Sequence, residues 1–427
     1  SMLLIMMYNL ADSIWVAGLG SDALAAIGFI TPLFMVLVGL GNGIGAGANS
    51  LIARSIGGEN YDEANNAGLH AIVLSIAVSA IFTVIMIVAM IPILELMGAG
   101  DSISYAASYG YIIFGFLFIF VFSGVLSAIF RSEGDMKRAM YAMIVSVTLN
   151  AILDPIFIYV LGFGSAGASM ATIFSALGSA SVILYWILIK KDTYVNVNLR
   201  EFKFDSKIAK DILKVGIPAS MDMFMMSVAV SLYLVFISTI GGEYGIASFT
   251  SGQRLYLFAI MPLTAIGSAV SAVSGSAFGA KNGDYLSRAH LYGVKFGIAF
   301  GTAVTIILVA FAPQLATLFA YTEETAVLVP EITRFLRIAS LCLPLTGAGM
   351  TSSFLYQGMG KGTMSLMWTI IREVIFTVTA TYTLGIALGW GLVGIWTGLA
   401  LGRTLASILN FAFARYTIRK VRAKFGT

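Results

Sequence analysis

The chain has too few charged residues to cover a water-facing surface. Only 11% of its 427 residues are Asp, Glu, Lys or Arg, whereas 59% are hydrophobic and the mean hydropathy is +0.92. Soluble globular domains carry about 25% charged residues. The apolar surface must therefore face lipid, and a soluble enzyme is excluded.

Cysteine and histidine are also scarce. The single cysteine, Cys342, excludes internal disulfides and cysteine-rich metal sites. The two histidines, His70 and His290, lie near the starts of different apolar segments and are too few for a metal centre. We therefore expect neither a cofactor nor an enzyme. The net charge of +4 is spread between apolar runs instead of forming a patch, so nucleic acid is not an expected partner.

What the sequence does contain is a series of long apolar runs separated by short turns rich in Gly and Asn. A membrane-spanning helix needs about 20 apolar residues. The first run is shorter, so we expect the first half of its helix to be missing from this sequence. The pattern predicts an all-α integral membrane protein with twelve transmembrane helices, numbered here as spans 1 to 12: 1–17, 23–54, 64–97, 102–131, 137–161, 165–191, 208–240, 245–277, 286–320, 325–356, 363–387 and 391–418.

Lysine and arginine predict the orientation, because cytoplasmic loops carry an excess of both. The loops that alternate with the basic ones contain no Lys or Arg, so the asymmetry is strong. Both termini and the connection between spans 6 and 7 are predicted to be cytoplasmic, and the plasma membrane is the expected location. The basic residues that carry this prediction are Arg54, Arg131, Lys137, Arg138, the cluster from Lys190 to Lys214, Lys281, Arg288, Lys361, and Arg415 to Lys424.

The two halves of the chain resemble each other. Gly57-Gly58-Glu59-Asn60 corresponds to Gly279-Ala280-Lys281-Asn282 at an offset of 222, and Leu161-Gly162-Phe163-Gly164 corresponds to Leu388-Gly389-Trp390-Gly391 at an offset of 227. The shift covers six spans, so both copies insert the same way up. This predicts two six-helix lobes related by a parallel pseudo-two-fold axis. The predicted lobes are 1–191, with span 1 truncated, and 208–427, joined by a cytoplasmic linker at 192–207.

Two of the aspartates within predicted spans stand out, because a charge in the middle of the membrane costs about 2.5–3.5 kcal/mol and therefore indicates function. Tyr8 and Asp12 share one helix face, as do Asn150 and Asp154. Pro155 removes a backbone donor and is expected to leave a carbonyl free beside Asp154. Carboxylate, amide and carbonyl oxygens suit a small cation. The same carboxylates would equally hold a proton if burial raised their pKa.

The internal repeat makes these acids more informative. Asp12 corresponds to Leu234, Asn150 to Thr377 and Asp154 to Thr381, so neither acid has an acidic counterpart in the second lobe. A purely structural requirement would apply to both copies, so the difference favours a function. The alternative is that each aspartate caps or hydrogen-bonds a helix near the membrane interface.

Other polar residues in the spans carry weaker predictions. Arg372 and Glu373 are adjacent in span 11, so we expect them to point in different directions and not to form an ion pair. Arg254 and Arg403 are expected either to line a polar crevice or to extend to the interface. The alternating glycines from Gly39 to Gly47 lack a following Lys-Ser/Thr, so we interpret them as a site of close helix packing and not a phosphate loop.

Several motifs together resemble one family, the multidrug and toxic compound extrusion (MATE) transporters, and the resemblance covers essentially the whole chain. It is similar in particular to the archaeal and DinF-like branch, which keeps its acidic residues in the N-terminal lobe. The residues that carry the resemblance are Tyr8-Asn9-Leu10-Ala11-Asp12, Ala23 to Gly28, Arg131-Ser132-Glu133-Gly134-Asp135, Asn150 to Pro155, and Gly216-Ile217-Pro218-Ala219.

The resemblance implies a secondary active transporter that exports amphipathic or cationic drugs in exchange for H⁺ or Na⁺ by alternating access. A monomer is expected. The resemblance assigns the cation-coupling role, and a possible Na⁺ site, to Asp12, Asn150, Asp154 and Thr172. It assigns substrate binding to Tyr8, Asn9 and Tyr109. The alternative is a flippase for a lipid-linked precursor, which would need several arginines in its cavity. A passive channel is disfavoured by the duplication and the asymmetric acids.

Overall fold

The computed structural model describes residues 21–96, 103–190, 193–195, 202–317 and 326–426, and all regular structure in these ranges is helical. The predicted all-α fold is confirmed. The helices are α1 (Ser21–Gly57), α2 (Tyr61–Leu96), α3 (Ile103–Gly115), α4 (Leu117–Ser132), α5 (Met136–Pro155), α6 (Gly164–Leu184), α7 (Ser206–Gly279), α8 (Gly283–Ala310), α9 (Ala312–Thr317), α10 (Val329–Ala339), α11 (Leu343–Gly358), α12 (Gly362–Ile370), α13 (Thr379–Tyr382) and α14 (Gly391–Phe425).

Wider or tighter helical turns extend several of these helices. A π-helical segment follows α5 at Ile156–Val160, another follows α6 at Tyr185–Lys190, and a 3₁₀ turn joins α10 to α11 at Ser340–Cys342. Two π-helical segments, Ile371–Val378 and Thr383–Ala387, lie on either side of α13. Spans 5, 6, 10 and 11 therefore each continue beyond a single α-helix.

Within the described ranges, eight helices are long and apolar enough to cross a membrane, or nine if α3 and α4 form one span bent by 47°. The helix α7 counts once here, but Gly242 interrupts it with φ 53° and ψ −146°. A left-handed φ is readily adopted by glycine because it has no Cβ. The chain turns back at this residue, which separates predicted spans 7 and 8.

The chain forms two compact units, residues 1–220 and 221–427, and the boundary falls inside α7. The N-terminal unit has its own core, in which Ile52, Phe114 and Phe130 are fully buried. The C-terminal unit has a separate core around Tyr233 and Trp396. The predicted linker, 192–207, lies within the residues of the first unit and is only partly described.

The alternating glycines of α1 lie where two backbones meet. A Cβ at Gly47 would collide with the backbone carbonyl of Ile212, and one at Gly43 would collide with the carbonyl of Gly216 and the side chain of Ser220. Small residues allow helix backbones to approach this closely. The prediction that these glycines serve close helix packing is confirmed.

The internal repeat is visible in the backbone. The π-helical segments Ile156–Val160 and Thr383–Ala387 correspond at the offset of 227. A glycine with positive φ follows the end of each by two residues, Gly162 at 71° and Gly389 at 69°. The C-terminal segment follows Tyr382 and not a proline. A proline, with its missing N–H, is therefore not required for a wider turn at this position of the repeat.

A second pair of turns repeats at the offset of 222. Glu59 and Lys281 both adopt positive φ, at 57° and 52°. The asparagine that follows each of them, Asn60 or Asn282, accepts a hydrogen bond from the backbone N–H three residues later. An asparagine side chain in this position satisfies a free N–H at a helix start. The sequence similarity between the two halves thus corresponds to the same local backbone geometry.

Candidate functional site

The polar residues of α5 lie on its buried face. Asn150 and Asp154 both have 0% of their surface exposed, and the Asn150 Nδ2 atom donates a hydrogen bond to Asp154 Oδ1 at 3.1 Å. Among the described residues of α5, Ala142 is the only other fully buried one, so the rest of this helix is more accessible. The prediction that Asn150 and Asp154 share one face is confirmed, and that face points into the N-terminal unit.

This pair presents oxygen atoms in a region without water. The Asn150 Oδ1 atom is buried and has no hydrogen-bond partner among the described residues. Burying an ionised carboxylate is costly unless it is paired, hydrogen-bonded or neutralised by a proton. An amide oxygen next to a carboxylate is the kind of hard-oxygen arrangement that binds a small cation. The pair is therefore chemically able to take up either a proton or a metal cation.

Two more predicted site residues are buried in the same unit. Thr172 lies on α6 with 4% of its surface exposed, and Tyr109 lies on α3 with 8% exposed. The helix α6 packs against both α5 and α3. Both side chains have polar or ring contacts within the protein. Fold and burial thus place Asn150, Asp154, Thr172 and Tyr109 on three adjoining helices.

The remaining predicted residues, Tyr8, Asn9 and Asp12, lie outside the described residues. Their part in the site stays a prediction. In the part of the chain that the structure describes, no group of three or more His, Cys, Asp or Glu residues is arranged to hold a metal ion. The described members of the predicted cation site, Asn150, Asp154 and Thr172, would contribute an amide, a carboxylate and a hydroxyl oxygen.

The prediction for Arg372 and Glu373 is wrong. Arg372 Nε and Glu373 Oε1 are 2.9 Å apart and form a buried ion pair. Neighbouring positions on a helix point in different directions, but both side chains are long enough to fold back onto each other. The Glu373 carboxylate is also held from the other side by Arg403, whose Nη2 lies 3.3 Å from Oε2.

The sequence did not reveal the other partners of this ion pair. The Tyr233 hydroxyl donates to the Glu373 carboxylate and backbone carbonyl at 3.2 and 3.0 Å. The Arg403 guanidinium lies 5.5 Å from the ring centroid of Tyr256. The sequence did show three charged residues within apolar spans, Arg372, Glu373 and Arg403, and charged residues in such a position are expected to pair. The structure brings all of these groups together inside the C-terminal unit.

A glutamate in the turn between α4 and α5 forms a hydrogen bond with the chain segment that follows α6. The Glu133 Oε1 atom accepts a hydrogen bond from the backbone N–H of Val195 at 2.7 Å. Burial raises the pKa of the Glu133 carboxyl to about 7, although hydrogen bonds from the Val195 and Tyr194 backbones oppose the shift. This acid lies in a turn outside the spans and changes charge near neutral pH.

A histidine, His70, forms a hydrogen bond with the part of the chain that leads from α6 to α7. The His70 Nε2 atom accepts a hydrogen bond from the backbone N–H of Asp205 at 2.8 Å, so Nδ1 carries the proton and faces the carbonyl of Asn66. The Phe202 and Phe204 rings pack on the imidazole with centroids 4.9 and 5.5 Å away. The sequence marked His70 only as unsuited to a metal centre. Its structural partners could not be predicted because they lie about 135 residues away.

The chain is similar to known proteins over most of its length. The family model MatE matches residues 1–156 and 218–383. Among curated proteins, the chain is 24% identical over 416 residues to the probable multidrug resistance protein YoeA of Bacillus subtilis, covering 94% of this chain and 88% of that protein. It is 26% identical over 407 residues to the multidrug export protein MepA of Staphylococcus haemolyticus, covering 93% and 86%.

Solved structures match along almost the whole chain. An outward-facing multidrug resistance MATE transporter of the MOP superfamily is 39% identical with a TM-score of 0.95, covering 99% of this chain and 94% of that one. A MOP superfamily transporter from Pyrococcus furiosus, described as having a binding pocket of reverse polarity, is 38% identical with a TM-score of 0.93, covering 99% and 93%. The predicted twelve-helix fold is thereby confirmed.

Proposed function

Because this chain belongs to the MATE family of multidrug efflux transporters and is not an enzyme, we propose that it exports amphipathic, often cationic compounds in exchange for H⁺ or Na⁺. The proposed coupling residues are Asp12, Asn150, Asp154 and Thr172. Tyr8, Asn9 and Tyr109 are proposed to contact the substrate. The membership of the archaeal and DinF-like branch is part of the same proposal.

One observation carries the assignment. The Asp154 carboxylate is completely buried in a transmembrane helix and is hydrogen-bonded by the neutral amide of Asn150. The Asn150 amide carries no charge, so this hydrogen bond by itself does not fix the charge of the carboxylate, and an incoming cation can change it. The N-terminal unit would bind the cationic substrate while Asp154 is ionised and release it when H⁺ or Na⁺ neutralises the acid.

The energetics are sufficient for efflux. One positive charge that moves inward across 100 mV releases about 2.3 kcal/mol, which corresponds to about 50-fold accumulation. Each unit of pH difference adds about 1.4 kcal/mol, or a further factor of ten. Export of a monovalent cation cancels one inward charge, so two coupling cations per substrate, or one driven by a pH or sodium gradient, account for accumulation ratios of about tens- to hundreds-fold.

The test is efflux of a fluorescent cation from proteoliposomes that contain the purified protein. A proton gradient and a sodium gradient are imposed separately, so that the coupling ion is identified by the gradient that drives transport. The Asp154→Asn variant keeps the size and the hydrogen-bonding capacity of the side chain but cannot ionise. We expect it to lose gradient-driven efflux under both conditions.

The matched control is Asp284→Asn, because Asp284 is an exposed aspartate that pairs with Arg422 at the surface of the C-terminal unit. This variant should export like the unmodified protein. Efflux by Asp154→Asn at the unmodified rate, with the gradient dependence retained, would show that the coupling site lies elsewhere.

The arginines do not favour the flippase alternative. Arg372 and Arg403 share the carboxylate of Glu373, and Arg254 is exposed. A pyrophosphate group would need several arginines with free donors converging on one cavity. The proposed location is the plasma membrane, which the protein crosses several times as a monomer with both termini in the cytoplasm. The positive-inside pattern of Lys and Arg supports this orientation.

A further inference from the structure

The C-terminal unit contains a cavity beside the buried ion pair of Glu373 and Arg403. Its volume is about 40 Å³, and about 480 Å³ is empty when the space open to the surroundings is also counted. Most of its lining is apolar. The aromatic lining residues are Phe249, Tyr256 and Phe335, and the polar ones are Gln253, Glu373 and Arg403.

Arg403 has donor capacity that the protein does not use. Its Nε–H is buried and has no acceptor among the described residues. Its Nη2 reaches Glu373 Oε2 at 3.3 Å, an oxygen that already accepts from the Tyr233 hydroxyl at 3.2 Å. Leaving a buried donor unsatisfied is costly, and more so when the group is charged. The guanidinium is therefore ready to bind a further acceptor.

The charge of Glu373 is divided between two arginines. Arg372 makes the shorter contact, 2.9 Å, and also lies within electrostatic range of Asp222. Arg403 has no carboxylate of its own among the described residues and shares the longer contact to Glu373. Of the two guanidinium groups, Arg403 is thus the less compensated one, and it is the one that lines the cavity.

The chemistry of this lining selects one class of ligand. A carboxylate is planar and accepts hydrogen bonds from a guanidinium in well-defined geometry. The rings of Phe249, Tyr256 and Phe335 offer contact to an apolar or aromatic body. Glu373 does not favour a cationic ligand here, because two arginines already occupy its oxygens.

We infer that this cavity of the C-terminal unit binds small amphipathic carboxylates, with Arg403 as the anchor for the carboxylate and the aromatic lining as the contact for the apolar body. The site is separate from Asp154, which belongs to the other unit. The inference concerns binding and does not depend on the proposed cation-coupled efflux, so each can fail without the other.

The test uses two fluorinated probes of the same shape and opposite charge, para-trifluoromethylbenzoate and para-trifluoromethylbenzylammonium. Their binding to the purified protein in phosphatidylcholine nanodiscs is measured by fluorine NMR line broadening. We expect the benzoate to bind and the ammonium probe to bind at least about tenfold more weakly. A hydrogen bond to a charged group corresponds to about a 10- to 100-fold change in affinity.

The diagnostic variant is the double substitution Arg403→Gln with Glu373→Gln. It removes the charges of Arg403 and Glu373, keeps two hydrogen-bonding side chains in place, and leaves Arg372 within electrostatic range of Asp222. We expect it to lose benzoate binding by about tenfold or more. Arg403→Lys, which keeps the charge but not the planar fork, should give an intermediate loss. The matched control is Arg415→Gln, since Arg415 is a half-buried arginine that contacts Ser287 away from the cavity.

Three results would overturn the inference. The first is equal affinity for both probes, and the second is unchanged benzoate binding by the double variant when its thermal unfolding shows a folded protein. The third arm repeats the experiment in phosphatidylglycerol nanodiscs. Loss of benzoate binding there would assign the site to a lipid phosphate and not to a free carboxylate. Retained binding in both lipids, with loss in the double variant, would support the inference.

Discussion

The two units share one backbone pattern but bury different kinds of acid. Asp154 in the N-terminal unit is hydrogen-bonded by a neutral amide, whereas Glu373 in the C-terminal unit is fixed by two arginines. Thr377 and Thr381 correspond in the repeat to Asn150 and Asp154. Their hydroxyls donate to carbonyls of their own helix at 2.6 Å. The repeat thus places an acid and an amide in one unit where the other has two hydroxyls bonded to their own helix.

The two units also differ in the size of the residues at a helix contact. In the C-terminal unit, a Cβ on Gly398 or Gly402 would lie 2.5 Å from the Cα of Thr381 or Thr377, so the two backbones are in direct contact. The corresponding residues of the N-terminal unit, at the offset of 227, are Ala171 and Ser175, which both carry a Cβ and are completely buried. A Cβ is therefore present at these two positions of α6 and absent at the corresponding positions of α14. The two units therefore differ in side-chain size at this contact although they share the same repeat.

The largest expected effect comes from giving the N-terminal unit the polar residues of the C-terminal unit. The double variant Asn150→Thr with Asp154→Thr removes the acid that is proposed to exchange a cation. If one coupling charge is lost, the accumulation ratio at 100 mV should fall by about 50-fold. Proteoliposome efflux under an imposed potential measures this ratio. The reciprocal double variant, Thr377→Asn with Thr381→Asp in the C-terminal unit, should not restore it.

The next effect concerns the fixed acid. Glu373→Ala leaves two buried arginines without their carboxylate, so we expect a loss of about 3–5 kcal/mol in the free energy of unfolding. Denaturation of the purified protein, followed by tryptophan fluorescence, measures the change. Glu95→Ala serves as the control, because Glu95 is exposed at the end of α2 and its substitution should stay within about 0.5 kcal/mol. Equal stability of the two variants would contradict the role given to the ion pairs.

A smaller effect is expected where the helices of the C-terminal unit touch. Gly402→Ala adds a methyl group against the backbone of Thr377, and we expect overpacking to cost about 1–3 kcal/mol. Gly124→Ala in α4 meets no atom within 4 Å and should be neutral or stabilising by up to about 1 kcal/mol. Thermal unfolding of both variants checks the difference. Similar unfolding temperatures would show that the two helices separate easily at this point.

The smallest effect concerns the turn before α5, where Glu133 accepts a hydrogen bond from Val195. In the C-terminal unit, the corresponding turn has Met359 in this position. Burial raises the pKa of Glu133 to about 7, so the folded state holds this proton more tightly than the unfolded state does. The stabilisation is complete at acidic pH, below the usual range of a glutamate, and is lost as the pH rises through 7. We expect the unfolding temperature to fall by about 2–4 °C between pH 5 and pH 8.

Glu133→Gln should reduce this pH dependence because an amide does not titrate, while Met359→Leu in the C-terminal turn should leave it unchanged. Thermal unfolding across the same pH range measures both variants. A dependence of unchanged size in Glu133→Gln would assign the titration to another group.

Much of the fold was predictable because lipid imposes simple rules. The spans follow from the length of the apolar runs, the repeat follows from the similarity between the two halves, and the α5 pair follows from helical spacing alone. The misassigned pair Arg372–Glu373 shows where such rules end. Helical spacing gives the directions in which adjacent side chains leave the backbone. It does not give the positions of distant partners such as Arg403, which draw those side chains together.

The sequence by itself determined that the chain spans a membrane, that it is duplicated, and that acid is retained on one helix face of the first half. These properties depend on composition and on local periodicity, which each segment carries alone. Only the tertiary structure decided that Glu373 is bound by two arginines, that Arg403 keeps an unused donor beside a cavity, and that His70 and Glu133 hold the connection after α6. Those contacts join residues separated by 30 to 135 positions, apart from the adjacent pair, and depend on how whole helices pack.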